Sequence, residues 1–183
     1  MSALCPDTRA ARALSLKLRM DVRIDYLVNH HEHILTLAGW FKAQDSDFFA
    51  QSSLSEIARE HFESRLNTDA LPISFIALDA LQPIGTIALL IESVTTHTHL
   101  SPWLGALYVL PEFRHRGIGM SLVAHAMSKA QGLGLSSVYA GVSRAEQRYI
   151  AEAWRVHERV VYHGKPLCIL RYDFGVRGTH AGL

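Results

Sequence analysis

Leu104–Val123, LGALYVLPEFRHRGIGMSLV, decides how the rest of the chain is read. Leu104 to Leu110 is apolar and rich in strand-forming residues, and Pro111 ends it because proline offers no N–H to a ladder. Pro111 to Arg116 is a polar connection. From Ile118 the apolar residues Ile118, Leu122, Val123, Ala126, Met127 and Ala130 fall at the spacing of one helix face. Gly117 and Gly119 therefore stand where a loop becomes a helix. The first N–H groups of a helix have no partner within it and carry the positive end of its dipole. Two residues without Cβ atoms let an anion approach those groups, and Arg114 and Arg116 add positive charge beside them. The stretch reads as a cradle for phosphate or pyrophosphate.

Two familiar cradles do not fit. A Walker loop requires Gly-Lys-Ser/Thr, whereas Gly119 is followed by Met120 and Ser121. The dinucleotide pattern G-x-G-x-x-G lacks its third glycine, since that position is Leu122, and Tyr139 to Val142 carries no acidic residue. What remains is R-x-x-G-x-G, as Arg114, Gly117 and Gly119, behind the strand ending L-Y-V-x-P. This resembles the acetyl-CoA site of the GNAT superfamily of N-acetyltransferases. Within that superfamily, LSPWLGALYVLPEFRHRGIG and VYHGKPLCILRYDF resemble a branch of small bacterial proteins.

Composition agrees with a soluble globular chain. Its 183 residues suit one domain with a sizeable core. Hydrophobic residues make up 49% and charged residues 19%, which argues against disorder. A formal net charge of +1 supplies no global field for nucleic acid or an anionic membrane, so neither is an expected partner. Cys5 and Cys168 form neither a disulfide framework nor a zinc spacing, and a cytoplasmic setting is expected. Residues 1–19, with Arg9, Arg12, Lys17 and Arg19, lack the apolar run of a signal peptide. They are expected to be a flexible tail, with a single domain over residues 20–183.

In chain order, Val22 to Leu27 alternates as a first strand, and a histidine-rich turn leads into a helix from about Glu32 to Lys42. Ser53 with Glu56 is a capping box that opens a second helix, expected to run through Leu66. Ile73–Leu78 and Ile84–Ile91 read as a hairpin around Asp79 to Pro83. After the strand and helix quoted above, Ser136–Val142 is a strand reached by a parallel crossover. Ala145–Val156 reads as a last helix, and Arg159–Tyr162 with Pro166–Asp173 as a final hairpin. The order β-α-α-β-β-β-α-β-α-β-β is what the resemblance implies for the GNAT fold. That fold is an α/β (α+β) domain with a mixed, mostly antiparallel sheet of about seven strands and about four helices. The sheet is splayed at the CoA site.

The resemblance also implies roles, residue by residue. Backbone groups of Leu107, Tyr108 and Val109 would bind the pantetheine arm. Arg114 and the N–H groups of His115, Arg116, Gly117, Ile118, Gly119 and Met120 would hold the pyrophosphate, with a hydroxyl from Ser121. The family's closing pattern A-x-x-x-Y-x-x-x-G-F/W is met by Ala145, Tyr149 and Trp154, with Ala153 in place of glycine and Val142 in place of a preceding asparagine. Tyr149 would be the general acid that protonates the departing thiolate. The implied activity is acetyl-CoA-dependent N-acetylation of an amine by direct transfer, because Cys168 falls in a terminal strand and suggests no acyl-enzyme. A non-catalytic acyl-CoA-binding module and transfer of a longer acyl group stay open as alternatives. A homodimer is common in the superfamily.

The strand before the glycine turn lacks the carboxylate that many relatives use as a base, which leaves Glu92, His97 and His99 as candidates acting through water. Trp40, Phe41, Asp45, Asp47 and Phe48 are candidates for an acceptor wall, by charge and cation–π contact. The cluster His30, His31, Glu32 and His33 raises the question of a metal. Adjacent positions at a helix start are not expected to converge, so the turn reads as solvated or acceptor-lining and no metal is expected.

Overall fold

Val22–Tyr26 forms β1, as its alternation predicts, in a computed structural model that describes residues 21–143 and 146–175. The expected tail at residues 1–19 lies outside the described residues. Leu27–His33 is a 3-10 turn, followed by α1 (Ile34–Gln44) and α2 (Leu54–His61). Then come β2 (Ile73–Asp79), β3 (Gln82–Leu90) and β4 (Trp103–Val109). After α3 (Ile118–Gly132) follow β5 (Ser137–Val142), α4 (Glu146–Ala151), β6 (Arg155–Tyr162) and β7 (Lys165–Asp173). The seven strands form one sheet in the order β1-β2-β3-β4-β5-β7-β6. Its one parallel pair is β4–β5. The mixed, mostly antiparallel sheet with four helices is the expected architecture.

Both faces of the sheet are covered. Ile73, Phe75 and Ala77 of β2 pack with Ile118, Leu122, Val123 and Ala126 of α3. On the other face, Ile76 and Leu78 pack with Leu37 and Ala38 of α1 and Ile57 and Ala58 of α2. β2 therefore reads as a continuous apolar run, because it has no solvent face. The capping box at Ser53 forms, with the Ser53 Oγ accepting from the Glu56 N–H at 3.2 Å and the Ser53 N–H donating to Glu56 Oε2 at 2.7 Å. α2 stops at His61 rather than Leu66, because the backbone at Phe62 leaves the helical region. That departure seats the buried Phe62 ring edge-on against Phe41, and a 3-10 turn over Glu63–Arg65 follows.

Two further chain-order expectations need correcting. α1 begins at Ile34, because the 3-10 turn before it is kinked at His30 (φ −140°, ψ 39°). That kink brings ligand atoms of His30, Glu32 and His33 within 4.8 Å of one another, so these near neighbours do converge. The last helix ends at Ala151 rather than Val156, and β6 starts at Arg155. Ala145 lies outside the described residues. Here Ala153 turns left-handed (φ 66°) and donates to the Ile150 carbonyl, while the Trp154 N–H reaches the Tyr149 carbonyl at 3.2 Å. This is a Schellman stop, completed by the contact of Trp154 with Tyr149. α3 ends the same way, with Gly134 (φ 75°) in the equivalent place and Leu135 N–H bonded to the Ala130 carbonyl.

The family pattern's glycine before its aromatic residue thus has a physical reason, and Ala153 carries a Cβ where none is wanted. A left-handed non-glycine residue costs roughly 1–2 kcal/mol. Replacing Ala153 with Gly is expected to raise Tm by about 2–4 °C in thermal unfolding. An unchanged or lowered Tm would show that the turn is not strained.

Two half-buried histidines contribute to the loss of stability in mild acid. Burial holds His125, whose ring lies edge-on to Phe75 at 5.0 Å, below its ordinary value, against the opposing charge of Asp25. Burial, reinforced by Arg65 and opposed by Glu60, lowers His61. A histidine depressed in the folded state takes up its proton more readily when unfolded, so stability falls as pH drops below about 6.5. His125→Gln is expected to flatten that fall in Tm, measured between pH 7 and pH 5. An identical acid slope in the variant would contradict the assignment.

Candidate active site

The sheet opens in its middle. β4 and β5 pair only at Trp103–Tyr139 and Leu104–Ala140, and beyond these residues the two strands have no ladder between them. The cause lies in β4. Ala88 and Thr86 of β3 face Gly105 and Tyr108, so two residues of β4, Ala106 and Leu107, oppose the single Ile87. Ala106 is left-handed (φ 55°), as a bulge residue is, and bulges bend and twist the strand that carries them. β4 swings away from β5 and leaves the edge of Leu107, Tyr108 and Val109 without a strand partner on that side. A cleft of about 590 Å³ opens there, walled by Leu104–Leu107 on one side and Ala140–Val142 on the other.

One end of the opening meets the glycine turn. A second cavity of about 310 Å³ is lined by Leu107, Tyr108 and Val109, by Arg114, His115, Gly117, Ile118 and Gly119, and by Gln44 and Arg148. His115 (φ 62°) and Gly117 (φ 84°) are both left-handed, which turns the chain abruptly into α3. Gly119 is ordinary helix, and a Cβ there would meet nothing nearer than Val109 Cγ2 at 3.8 Å. Folding does not require glycine at 119. The missing side chain leaves space over the first turn of α3, where N–H groups and dipole favour an anion.

Arg114 is held in place by its neighbours. Its Nε donates to the Val109 carbonyl at 2.8 Å, and its guanidinium lies 5.6 Å from the Tyr108 ring centroid. Trp40 stacks on Tyr108 at 5.2 Å, so α1 braces the strand edge. Arg116 instead lies over Phe113. Ser121 turns back, its Oγ donating to the Gly117 carbonyl at 3.3 Å. With Met120 it lines a separate groove against Trp154 and Tyr172. Leu107, Tyr108, Val109, Arg114, His115, Gly117, Ile118 and Gly119 thus surround one cavity, while the side chains of Arg116, Met120 and Ser121 lie elsewhere; what is expected of Arg116 and Met120 concerns their backbone N–H groups.

Tyr149 stands in the wall of the larger cleft, 7% exposed, with its ring edge-on to Trp154 at 5.6 Å. The Schellman stop fixes its backbone and Trp154 fixes its ring. Burial pushes the Tyr149 phenol above its ordinary 10.0, opposed by the charge of Arg148, so the hydroxyl keeps its proton through neutral pH. Glu92, His97 and His99 are not among the residues walling this cleft, and His97 is tied to Glu158 at 3.2 Å. His163, which sequence reasoning passed over, is in the wall. It occupies the β6–β7 turn at φ 48°, beside Tyr162 and Phe48. Only the hairpin fold brings it there from the far end of the chain. Arg148 was also missed, although its place beside Tyr149 in the sequence was a usable signal.

The acceptor-wall candidates divide. Asp45, Asp47 and Phe48 line an adjoining cavity of about 830 Å³ with Tyr162, His163 and Lys165. Phe41 enters the wall of the central cleft, as do Asp45 and Phe48, and Trp40 braces Tyr108 instead.

With this geometry in hand, comparison with known proteins is informative. Residues 34–158 match the acetyltransferase (GNAT) family. Comparison with curated proteins finds no match. Among solved structures, an aminoglycoside 6'-N-acetyltransferase complexed with coenzyme A superposes with a TM-score of 0.64 at 15% identity, covering 82% of this chain and 96% of that one. An acetyltransferase from Streptococcus agalactiae gives 0.60 at 16% identity, covering 84% and 98%. The NatC complex bound to Gag peptide and CoA gives 0.62 at 18%, covering 85% and 99%. At such identities the likeness concerns the fold. The chain belongs to the acetyltransferase (GNAT) family, whose general chemistry is acyl transfer. Among the described residues no helix is long and apolar enough to cross a membrane.

Proposed function

We infer that the protein is an acetyl-CoA-dependent N-acetyltransferase that passes the acetyl group directly to an amine. The observation that carries this reading is the continuity of three features: a glycine turn suited to an anion at the start of α3, an unpaired strand edge at Leu107–Val109, and the hydroxyl of a largely buried tyrosine in the cleft wall beyond it. The vacant space over Gly119 suits a pyrophosphate, and a strand edge suits the amide groups of a pantetheine arm. Acetyl-CoA would supply the acetyl group as a thioester.

In this reading the N–H groups from His115 to Gly119 hold the pyrophosphate, with Arg114 and Arg148 balancing its charge. The edge of Leu107, Tyr108 and Val109 holds the arm in line with Tyr149. Tyr149 gives its proton to the departing sulfur. Asp45 and Asp47 attract a cationic amine into the adjoining cavity, where Phe48 and Tyr162 offer ring surface. His163, at the junction of that cavity with the central cleft, is the group placed to take the proton the amine must lose.

The test is an acetyl-transfer assay with a panel of amines, read by thiol release together with the mass of the product. Stoichiometric thiol and N-acetylated product from a cationic amine is the expected result. Binding of acetyl-CoA with no product from any amine would favour a non-catalytic binding module.

A further inference from the structure

The turn between β1 and α1 carries chemistry that acyl transfer does not use. Asp25, at the end of β1, accepts four hydrogen bonds. The Tyr26 N–H reaches Oδ1 at 2.8 Å and Asn29 Nδ2 reaches it at 3.0 Å. Oδ2 faces His30 Nε2 at 3.1 Å and accepts from Arg23. Three of these partners can only donate, and a carboxylate can only accept. His30 Nε2 is therefore the nitrogen that donates to Asp25, which leaves Nδ1, on the opposite edge of the ring, as the nitrogen able to ligate.

Nδ1 has other electron-pair donors near it, and the three candidate ligand atoms lie within 4.8 Å of one another. His30 Nδ1 lies 3.8 Å from Glu32 Oε1, and the same oxygen lies 3.7 Å from His33 Nε2. These separations are too long for hydrogen bonds. They are close to the edge of a coordination tetrahedron, roughly 3.3–3.4 Å for bonds of ~2.0–2.1 Å. Both rings are largely sheltered, with side-chain exposures of 16% and 22%, while Glu32 faces solvent at 56%. The His30 and His33 rings lie nearly parallel, with centroids 6.4 Å apart. His31, 76% exposed, faces the other oxygen of Glu32 and stands outside the group.

We propose that His30 Nδ1, Glu32 Oε1 and His33 Nε2 form a three-ligand site for a divalent transition metal of the zinc class, with Asp25 as the residue that orients His30. Two imidazoles and one carboxylate are the donor set that suits zinc and its neighbours. A carboxylate behind a ligating histidine is the usual device for fixing its tautomer and direction. The fourth position faces solvent and would take water. The site lies at the far end of α1 from Gln44, about 16 Å away at ~1.5 Å per residue, so the ion would clamp the entry to α1 without touching the reacting atoms.

Metal-stripped full-length protein is titrated with Zn²⁺ by calorimetry, and with Co²⁺ by visible absorption, whose band intensity reports low coordination number. One saturable equivalent of each is expected. Asp25→Asn should weaken binding ~10–100-fold, and His33→Ala and Glu32→Gln by more than that, while His31→Ala binds as the parent does. Zn²⁺ should raise Tm in the parent and leave it unchanged in His33→Ala. Because Glu32 and His33 border an exposed turn, circular dichroism of the metal-free variants serves as the control for folding. Failure of the parent to bind either ion, or binding that survives both His33→Ala and Glu32→Gln, would overturn the proposal.

Discussion

Tyr149→Phe should lower kcat by roughly 10²–10⁴-fold, the usual contribution of a positioned acid, and leave acetyl-CoA affinity unchanged. The substitution removes one oxygen and preserves the ring that packs on Trp154, so the Schellman stop and the fold should persist. The proton it removes is a suitable one. A thiol has a pKa near ~8.5 and a phenol near ~10, so transfer from tyrosine to a departing thiolate is uphill by little. Burial moves Tyr149 further toward the neutral form. As burial raises its pKa above the ordinary 10.0, the acid stays protonated through the neutral range, and kcat should show no alkaline decline from this group between pH 7 and about pH 9. Full activity in the variant would remove Tyr149 from the mechanism. Equal loss of affinity and turnover would indicate a packing role instead.

Gly119→Glu should abolish acetyl-CoA binding while leaving the protein folded. A side chain at this position meets only Val109 Cγ2 at 3.8 Å, so the structure has room for it. Placed in the first turn of α3, a carboxylate also interacts favourably with the helix dipole, by ~0.3–1 kcal/mol. Tm should therefore hold or rise. The same carboxylate would stand where the pyrophosphate belongs. Like charges ~4 Å apart repel by ~1–4 kcal/mol, and the occupied space adds to that, so affinity should fall ~100-fold or more. Gly117 would be a poorer test, since its left-handed backbone makes any side chain there strained. Stable protein with undiminished affinity would mean that the space over Gly119 is not the cradle.

How much of this was legible beforehand depends on the range of the interactions involved. The glycine turn into α3, which lines one cavity with Arg114, could be read from Arg114, Gly117 and Gly119 because a strand, a turn and a helix start are contiguous in sequence. The order of elements along the chain, the hairpins and the parallel crossover followed from periodicity and turn signals, and the mixed sheet from the resemblance. Local geometry was harder to foresee. The bulge at Ala106 that opens the sheet has no signal in an apolar run such as LGALYV. The early end of α4 depends on a left-handed alanine, a conformation that sequence propensity argues against. The local bond of the Ser121 hydroxyl to the Gly117 carbonyl has no signal in the glycine pattern. His163 reaches the cleft only through the β6–β7 hairpin, which no spacing rule connects to Tyr149. The His30–Glu32–His33 convergence rests on one kinked residue, and a regular helix would have separated those side chains.

Calorimetric titration of the purified protein with acetyl-CoA, with ATP and NAD as controls, tests the central claim most directly. Saturable one-to-one binding of acetyl-CoA, with neither control binding comparably, is the predicted result. No binding of acetyl-CoA, or equal binding of all three, would contradict the assignment of the cleft between β4 and β5 as an acetyl-CoA site.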